Sequence, residues 1–426
     1  MTFPSADLAA LERTLFLCGP LAAVIALVLI ARPTPREATA ALVGFLWQLP
    51  ALLLIQLVVT AFGWWRFADA PDQLLGLPIS LWIGWALWWG ALPALALRYL
   101  HPAVIVALAV LADVVSMPLV TPMVILSDSW LWGEGVALVI GLLPGLTASE
   151  LTRSDRHPQL RSIFHVLGWG GYLMLVIPAA VLAYEGRSYF DFLRVPVSAL
   201  DWSIALLVLL LLFIGVAATM EFAVAGQGTP IPFDPPKRVV TTGPYAFVAN
   251  PMQIISALAM LLLAAYARSW GLLLIAVMFA VFDAIYAHWY NTAHIARAKP
   301  EWARFSDAVP LWNFRWRPFV DGEAEVAISR DGPARWIWDN VWRRIYRGQA
   351  VRERPLEPED GMRLRYRRHA AGIDETGVIA AARVLEHGPL PLAMLGWLMR
   401  FIGIGAVLQI VAGLAIRWYR RGQTRP

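Results

Sequence analysis

The sequence predicts an all-α polytopic membrane protein of about nine transmembrane helices, with a small cytoplasmic C-terminal α/β or α domain. Three observations predict it. Hydrophobic residues make up 59% of the 426 and the mean hydropathy is +0.59, well above ordinary soluble domains. Apolar stretches recur at lengths that suit the ~20 residues needed to cross ~30 Å of hydrocarbon. Past residue 296 charged residues become dense, and no run of that length begins before about 392.

In chain order the expected spans lie near 14–31, 39–63, 77–97, 102–126, 130–149, 160–184, 200–223, 251–267 and 271–290. The first lacks a basic leader and a small-residue cleavage site, so it reads as a retained helix. Arg32 and Arg36, Arg98, then Arg153, Arg156 and Arg161, then Lys237 and Arg238 fall in alternate loops, while Asp69, Asp72, Asp128, Glu185 and Asp191 occupy the others. The positive-inside rule therefore places the N-terminus outside and the 226–250 loop and the C-terminal domain in the cytoplasm. Trp64, Trp65, Trp130, Trp132 and Trp202 sit at span ends, where an indole prefers the headgroup level. Composition divides the chain into a six-helix membrane domain over 1–190, a second membrane domain over 195–320, and a C-terminal domain with an interfacial helix over 321–426.

Composition also narrows the chemistry. Lys237 and Lys299 are the only lysines, an arginine bias that reads as coding preference rather than phosphate recognition, and the net charge of +5 suits a basic membrane face without implying nucleic-acid binding. Cys18 is the single cysteine, which excludes an intramolecular disulfide, dithiol chemistry and cysteine metal clusters. No metal site is expected: His288 and His294 are six apart and fall on different helix faces.

Asp113, upstream of Pro118 and Pro122, and Glu134 stand at or near membrane depth. A carboxylate there costs on the order of 3 kcal/mol and should face protein or water. Either pair member can mark a proton or ligand pathway, or a protonated packing residue beside a kink. Gly141 and Gly145, four apart, suit close helix packing. Gly168, Gly170 and Gly171 follow no strand, so they are not a nucleotide loop. The basic run RLRYRRH at 363–369 reads as a solvated or phospholipid-facing surface. The apolar run 401–416 is short and flanked by Arg400, Arg417, Arg420 and Arg421, so it reads as an interfacial or domain-packed helix.

Residues 226–253, GQGTPIPFDPPKRVVTTGPYAFVANPMQ, interrupt the apolar pattern. Their prolines and glycines cannot continue a helix, so the backbone stays open at the membrane surface. Asn250-Pro251 closes the loop as an N-cap followed by proline at the first helical position, which leaves amides at a positively polarised helix start. On the helix expected over 271–294, Asp283, Tyr286, Tyr290 and His294 share one face with Asn291 at its edge. That stripe is either one wall of a polar site or a set of interhelical hydrogen-bonding groups.

Gly243-Pro244-Tyr245 and Asn250-Pro251-Met252 resemble the signature of the isoprenylcysteine carboxyl methyltransferase and phospholipid N-methyltransferase superfamily. A proline-rich stretch precedes them (GTPIPFDPP), Val239-Val240-Thr241-Thr242 leads into the Gly-Pro-Tyr, and Trp302, Phe305, Val309, Pro310 and Trp312 match the closing piece. The resemblance spans about 226–318. Ala246 and Ala249 stand where that family usually has arginine, Gln253 replaces tyrosine, and Tyr290-Asn291 replace an acidic pair.

The resemblance implies an integral-membrane, S-adenosylmethionine-dependent methyltransferase acting on a lipophilic small molecule or a membrane lipid. It implies a cofactor site drawn from Gly243, Pro244, Tyr245, Asn250, Pro251, Gln253, Tyr286, Tyr290 and Asn291. A carboxylate acceptor needs no base; an amine or hydroxyl does, and Asp283, His294 and Glu221 are the candidates. Two other readings stand beside this one: a non-catalytic lipid-binding or transport protein on a degenerate methyltransferase scaffold, and proton-coupled transport through Asp113 and Glu134. Gly377-Val378-Ile379-Ala380-Ala381 and Leu395-Gly396-Trp397 weakly resemble the closing pattern of DCC-type thiol-disulfide oxidoreductases, whose paired cysteines are absent here.

Overall fold

A computed structural model describes residues 5–121, 123–229, 236–290, 301–329, 335–336, 338–343, 351–357, 364–401 and 403–423, with the side chains of 5–10, 290, 341 and 415–423 excepted. The chain divides into two compact units. One holds Met1–Val195 together with Tyr266–Leu272; the other holds Pro196–Pro230, Asp234–Ala265 and Leu273–Pro426.

The first unit is built from α1 (Ser5–Ala31), α2 (Pro35–Phe62), α3 (Ile79–Ala96), α4 (Pro102–Leu119), α5 (Trp130–Arg153) and α6 (Pro158–Tyr184). Helix α2 starts in a capping box, with the Thr34 hydroxyl accepting from the Glu37 amide and the Glu37 carboxylate accepting from the Thr34 amide. It is the central element, packed against α3, α5 and α6. Gly44 of α2 and Gly90 of α3 let two backbones touch, since a Cβ on Gly90 would lie 2.6 Å from the Gly44 carbonyl oxygen. Gly141 and Gly145 do the packing work expected of them against Gln48 and Trp47.

Helices α3, α5 and α6 each contain one π-helical turn, at Leu87–Ala91, Leu138–Leu142 and Tyr172–Val176, and each turn lies two residues before a proline: Pro93, Pro144 and Pro178. Proline has no amide to donate and its ring crowds the carbonyl four residues back, so the turn widens and that carbonyl needs a new donor. Side chains supply it. Gln48 Nε2 donates to the Trp89 carbonyl at 3.3 Å, Trp47 Nε1 to Ile140 at 3.1 Å, and the Tyr189 hydroxyl to Met174 at 2.9 Å. The same device serves Pro50 in α2, where the Tyr172 hydroxyl donates to the Leu46 carbonyl at 2.9 Å. In a membrane a freed carbonyl has no water to turn to, which is why each has a side-chain partner.

Between the helices, β1 (Trp65–Phe67) pairs antiparallel with β4 (Val124–Leu126), and β2 (Gln73–Leu74) with β3 (Leu77–Pro78). The stretch expected to span 102–126 therefore stops at Leu119 and returns as strand. The 266–272 segment is fastened to this unit: Arg187 donates to the Ala267 carbonyl at 2.8 Å, and Glu185 accepts from Ser269 and from the Gly271 amide.

The second unit contains α7 (Ala199–Val224), most of α8 (Pro251–Ala267) and of α9 (Trp270–Tyr290), α10 (Glu301–Ala308), a four-stranded sheet, and α11 (Val378–Leu385), α12 (Leu390–Arg400) and α13 (Ile404–Gln423). Among the described residues eight helices are long and apolar enough to cross a membrane, or nine if α12 with the first part of α13, bent by 84°, forms one span. Helix α8, expected as a span, has 17 residues and reaches only about 25 Å at ~1.5 Å per residue.

The sheet has the order β6 (Val351–Pro355), β5 (Ala324–Ile328), β7 (Arg365–Arg368), β8 (Ile373–Thr376), with β5 and β6 parallel and the other pairs antiparallel. This corrects the surface reading of the basic run. On β7 alternate residues face opposite sides, so Tyr366 and Arg368 are buried while Arg365 and Arg367 pair with Asp374. The core joins Val326, Ile328, Tyr366 and Ile373 to Trp338, Ala380 and Val384.

Candidate functional site

The open loop becomes a buried turn. Gly243–Ala246 form one turn of 3-10 helix entered through Gly243 at φ +60°, a backbone state that glycine adopts without strain. The distant pieces of the motif meet there. Phe319 N donates to the Ala246 carbonyl at 2.7 Å, Arg315 N to Phe247 at 2.9 Å, and Ala249 N to Pro310 at 2.9 Å. Tyr245, Ala249, Trp302, Phe305 and Val309 share one core, and the Asn250 amide donates to the Leu311 carbonyl at 3.3 Å. Met252 lies against the Thr219 hydroxyl at 3.5 Å. Pro244 and Pro251 are buried, and Gln253 is half-buried.

Glu221, expected as a candidate base, is instead the centre of a closed ion cluster. It is fully buried on α7, and its carboxylate accepts from Arg383 at 2.7 and 2.9 Å, from Arg400 at 2.6 Å, and from the Thr242 hydroxyl. Arg383 and Arg400 also pair with Glu386, at 3.2 and 2.9 Å. Two carboxylates and two guanidiniums thus balance each other's charge out of water, the pairing a buried charge requires. A carboxylate bonded on both oxygens is not free to take a proton. Burial works against the charge on Arg383, but the Glu221 and Glu386 carboxylates outweigh it and hold that guanidinium above its usual range. Burial pushes Glu386 up despite both arginines.

Beside the cluster a cavity is lined by Thr242, Gly243 and Ala246 of the turn and by Tyr366, Arg368 and His387. His387 Nε2 and the Tyr366 hydroxyl lie 2.8 Å apart. Burial, then the charges of Arg368 and Arg383, depress His387 to about 3, so it is neutral at pH 7. Phe247 meets Trp397 of α12 edge to face at 5.6 Å. Sequence reasoning missed Arg383, Glu386 and Arg400 as partners of Glu221. The available signal was an arginine in an apolar helix with a glutamate three residues on.

Asp283 and Tyr286 of the polar stripe on α9 are not among the residues that line the cavity beside this turn. Asp283 and Tyr286 are half-buried, and Tyr286 stacks on Phe282 at 6.1 Å. The Tyr290 side chain, Asn291, His294 and the proline-rich 230–235 stretch lie outside the described residues.

Residues 202–298 match the family model described as phospholipid methyltransferase. The resemblance read over about 226–318 from the Gly-Pro-Tyr and Asn-Pro-Met motifs is thus met by a match that overlaps it and contains both motifs, and it supports a membrane methyltransferase of the phospholipid/isoprenylcysteine type. Such a family implies S-adenosylmethionine as the methyl donor in general. No curated protein and no solved structure matches the chain.

As described, this face of the turn does not fit that donor. A Cβ at Gly243 would lie 2.9 Å from Glu221 Cγ, so the space above the glycine is filled by the protein's own carboxylate. The cavity has about 10 Å³ of room for the centre of a water-sized sphere, which suits a single water. Ala246 lines that cavity where the family usually has arginine, and the guanidiniums that do line it already have partners, Arg383 of α11 in the ion cluster and Arg368 of β7 on the Asp321 carbonyl. One polar atom in the turn is left without a partner, the buried Tyr245 hydroxyl.

Proposed function

We propose that the second unit is a membrane methyltransferase of the phospholipid/isoprenylcysteine type, using S-adenosylmethionine on a lipophilic small molecule or a lipid. The observation that carries this reading is that the 202–298 match contains a folded motif: Gly243–Tyr245 and Asn250–Met252 lie within it, and Trp302–Pro310, just beyond it, packs on the same core. Gly243, Pro244, Tyr245, Asn250, Pro251, Gln253, Tyr286, Tyr290 and Asn291 are the proposed cofactor contacts, and Asp283 and His294 the proposed bases. In this reading the Glu221 clamp is a closed state of the turn, and any ligand reaches Gly243 only after the carboxylate moves away. The loop and the C-terminal region face the cytoplasm and the N-terminus lies outside.

A second reading has a specific observation in its favour. The paired Glu221–Arg383–Arg400 clamp fills the position a cofactor would occupy, as expected of a non-catalytic lipid-binding protein that keeps the scaffold. Equilibrium dialysis of labelled S-adenosylmethionine against the purified full-length protein in detergent separates the two. The enzyme reading expects saturable binding, several-fold tighter in Arg400→Gln, where one clamp contact is weakened. No saturable binding in either protein, where a phospholipid methyltransferase run in parallel saturates, rejects it in favour of the second.

A further inference from the structure

The first unit contains a cavity that the methyltransferase reading does not use. It lies among α2, α3, α4, α5 and β1, and four of its twelve lining residues are aromatic: Trp65, Phe67, Trp85 and Trp89 face it together with two carboxylates, Asp113 and Glu134. It has about 30 Å³ of room for the centre of a water-sized sphere, two to three times the roughly 10–15 Å³ that one water needs. None of its lining residues is basic.

The walls are held in place by local packing and hydrogen bonds. Trp65 is fixed by the β1–β4 ladder opposite Leu126, and Gly133 makes room for its ring, since a Cβ there would lie 2.2 Å from it. Trp89 sits in the π-helical turn before Pro93, with its carbonyl held by Gln48. Asp113 is only 4% exposed, and its Oδ2 has no hydrogen-bond partner while the Trp89 indole stands beside the carboxyl group. The Glu221 cluster shows how this protein neutralises buried carboxylates when it does so with its own residues. Here it supplies no arginine.

We propose that this cavity binds an ammonium group, the head of a small organic amine or of an amine-bearing lipid. Aromatic faces attract a cation through their quadrupoles, and two carboxylates with no internal counter-charge supply the opposite charge. A metal ion is a poorer match. Hard divalent cations take six or more oxygen ligands, and most of this lining is carbon.

The test uses the full-length protein in nanodiscs of phosphatidylglycerol, titrated calorimetrically with choline and with its neutral carbon isostere 3,3-dimethylbutan-1-ol. Saturable choline binding is expected, at least 10-fold weaker in Asp113→Asn and absent in Asp113→Asn/Glu134→Gln, with no binding of the isostere. These substitutions remove charge from an apolar site, so the variants should fold at least as well as the parent. Repeating the titration in phosphatidylethanolamine nanodiscs identifies the source: weakened choline binding assigns the site to a lipid head, and unchanged binding assigns it to a soluble amine. Absence of saturable choline binding, equal binding by the double variant, or equal binding of the isostere overturns the proposal and leaves a protonated packing pair.

Discussion

Two pairs of acidic residues, Glu221 with Glu386 and Asp113 with the half-buried Glu134, are treated in opposite ways. In the second unit Glu221 and Glu386 are closed in by Arg383 and Arg400 with almost no free volume. In the first unit Asp113 and Glu134 face a larger cavity walled by indoles, with no arginine among its lining residues. A saturated cluster contributes a fixed arrangement of the chain, whereas an unsaturated one leaves interaction energy for a ligand or a proton. The difference assigns structure to the first and recognition to the second.

The largest expected effect breaks the saturated side. Arg383→Met strands two buried carboxylates, and removing one partner from such a cluster costs about 3–5 kcal/mol. Chemical denaturation in mixed micelles should show that loss, and Glu221→Gln/Arg383→Met should recover part of it because the stranded charge is gone. Equal losses in the single and double variants would mean the cluster contributes only through packing.

The next effect is a pH dependence. His387 titrates near 3 in the folded chain against an ordinary value of 6.5, so between those limits the unfolded chain binds the proton and the folded chain does not. Stability then falls as the pH drops from 6.5 towards 3, by roughly 3 kcal/mol at pH 4. His387→Gln should flatten the melting temperature over that window. An unchanged slope would place the titrating group elsewhere.

Gly243→Ala is smaller. The positive φ and the Glu221 contact together should cost about 1–3 kcal/mol, read as a lower denaturation midpoint. The smallest effect has the opposite sign. Asp113→Asn removes a carboxylate with an unpartnered oxygen, so stability should stay level or rise by about 1 kcal/mol. A drop comparable to that of Arg383→Met would erase the contrast between the two pairs.

Much of this architecture was legible in the sequence because local rules decide it. Apolar length located the helices, the spacing of Gly141 and Gly145 marked a close contact, and the order of Gly243-Pro244-Tyr245 and Asn250-Pro251-Met252 located the turn. What was not legible depends on long-range partners. Arg383 and Arg400 reach Glu221 across 162 and 179 residues, and no periodicity connects them. The strand at Val124–Leu126 was hidden inside an apolar run because a short β-branched stretch suits helix and strand alike. Prolines inside spans were visible, but not the distant tryptophan, glutamine and tyrosine side chains that answer their freed carbonyls.

The central claim is that the second unit transfers methyl groups, and the most direct measurement is transfer itself. Full-length protein in proteoliposomes made from a total lipid extract is incubated with methyl-labelled S-adenosylmethionine, and the organic phase is counted and resolved by chromatography. The account predicts a time-dependent labelled lipophilic product that Gly243→Ala reduces by at least 10-fold. No product above the protein-free control, under conditions where a phospholipid methyltransferase labels the same extract, would contradict it.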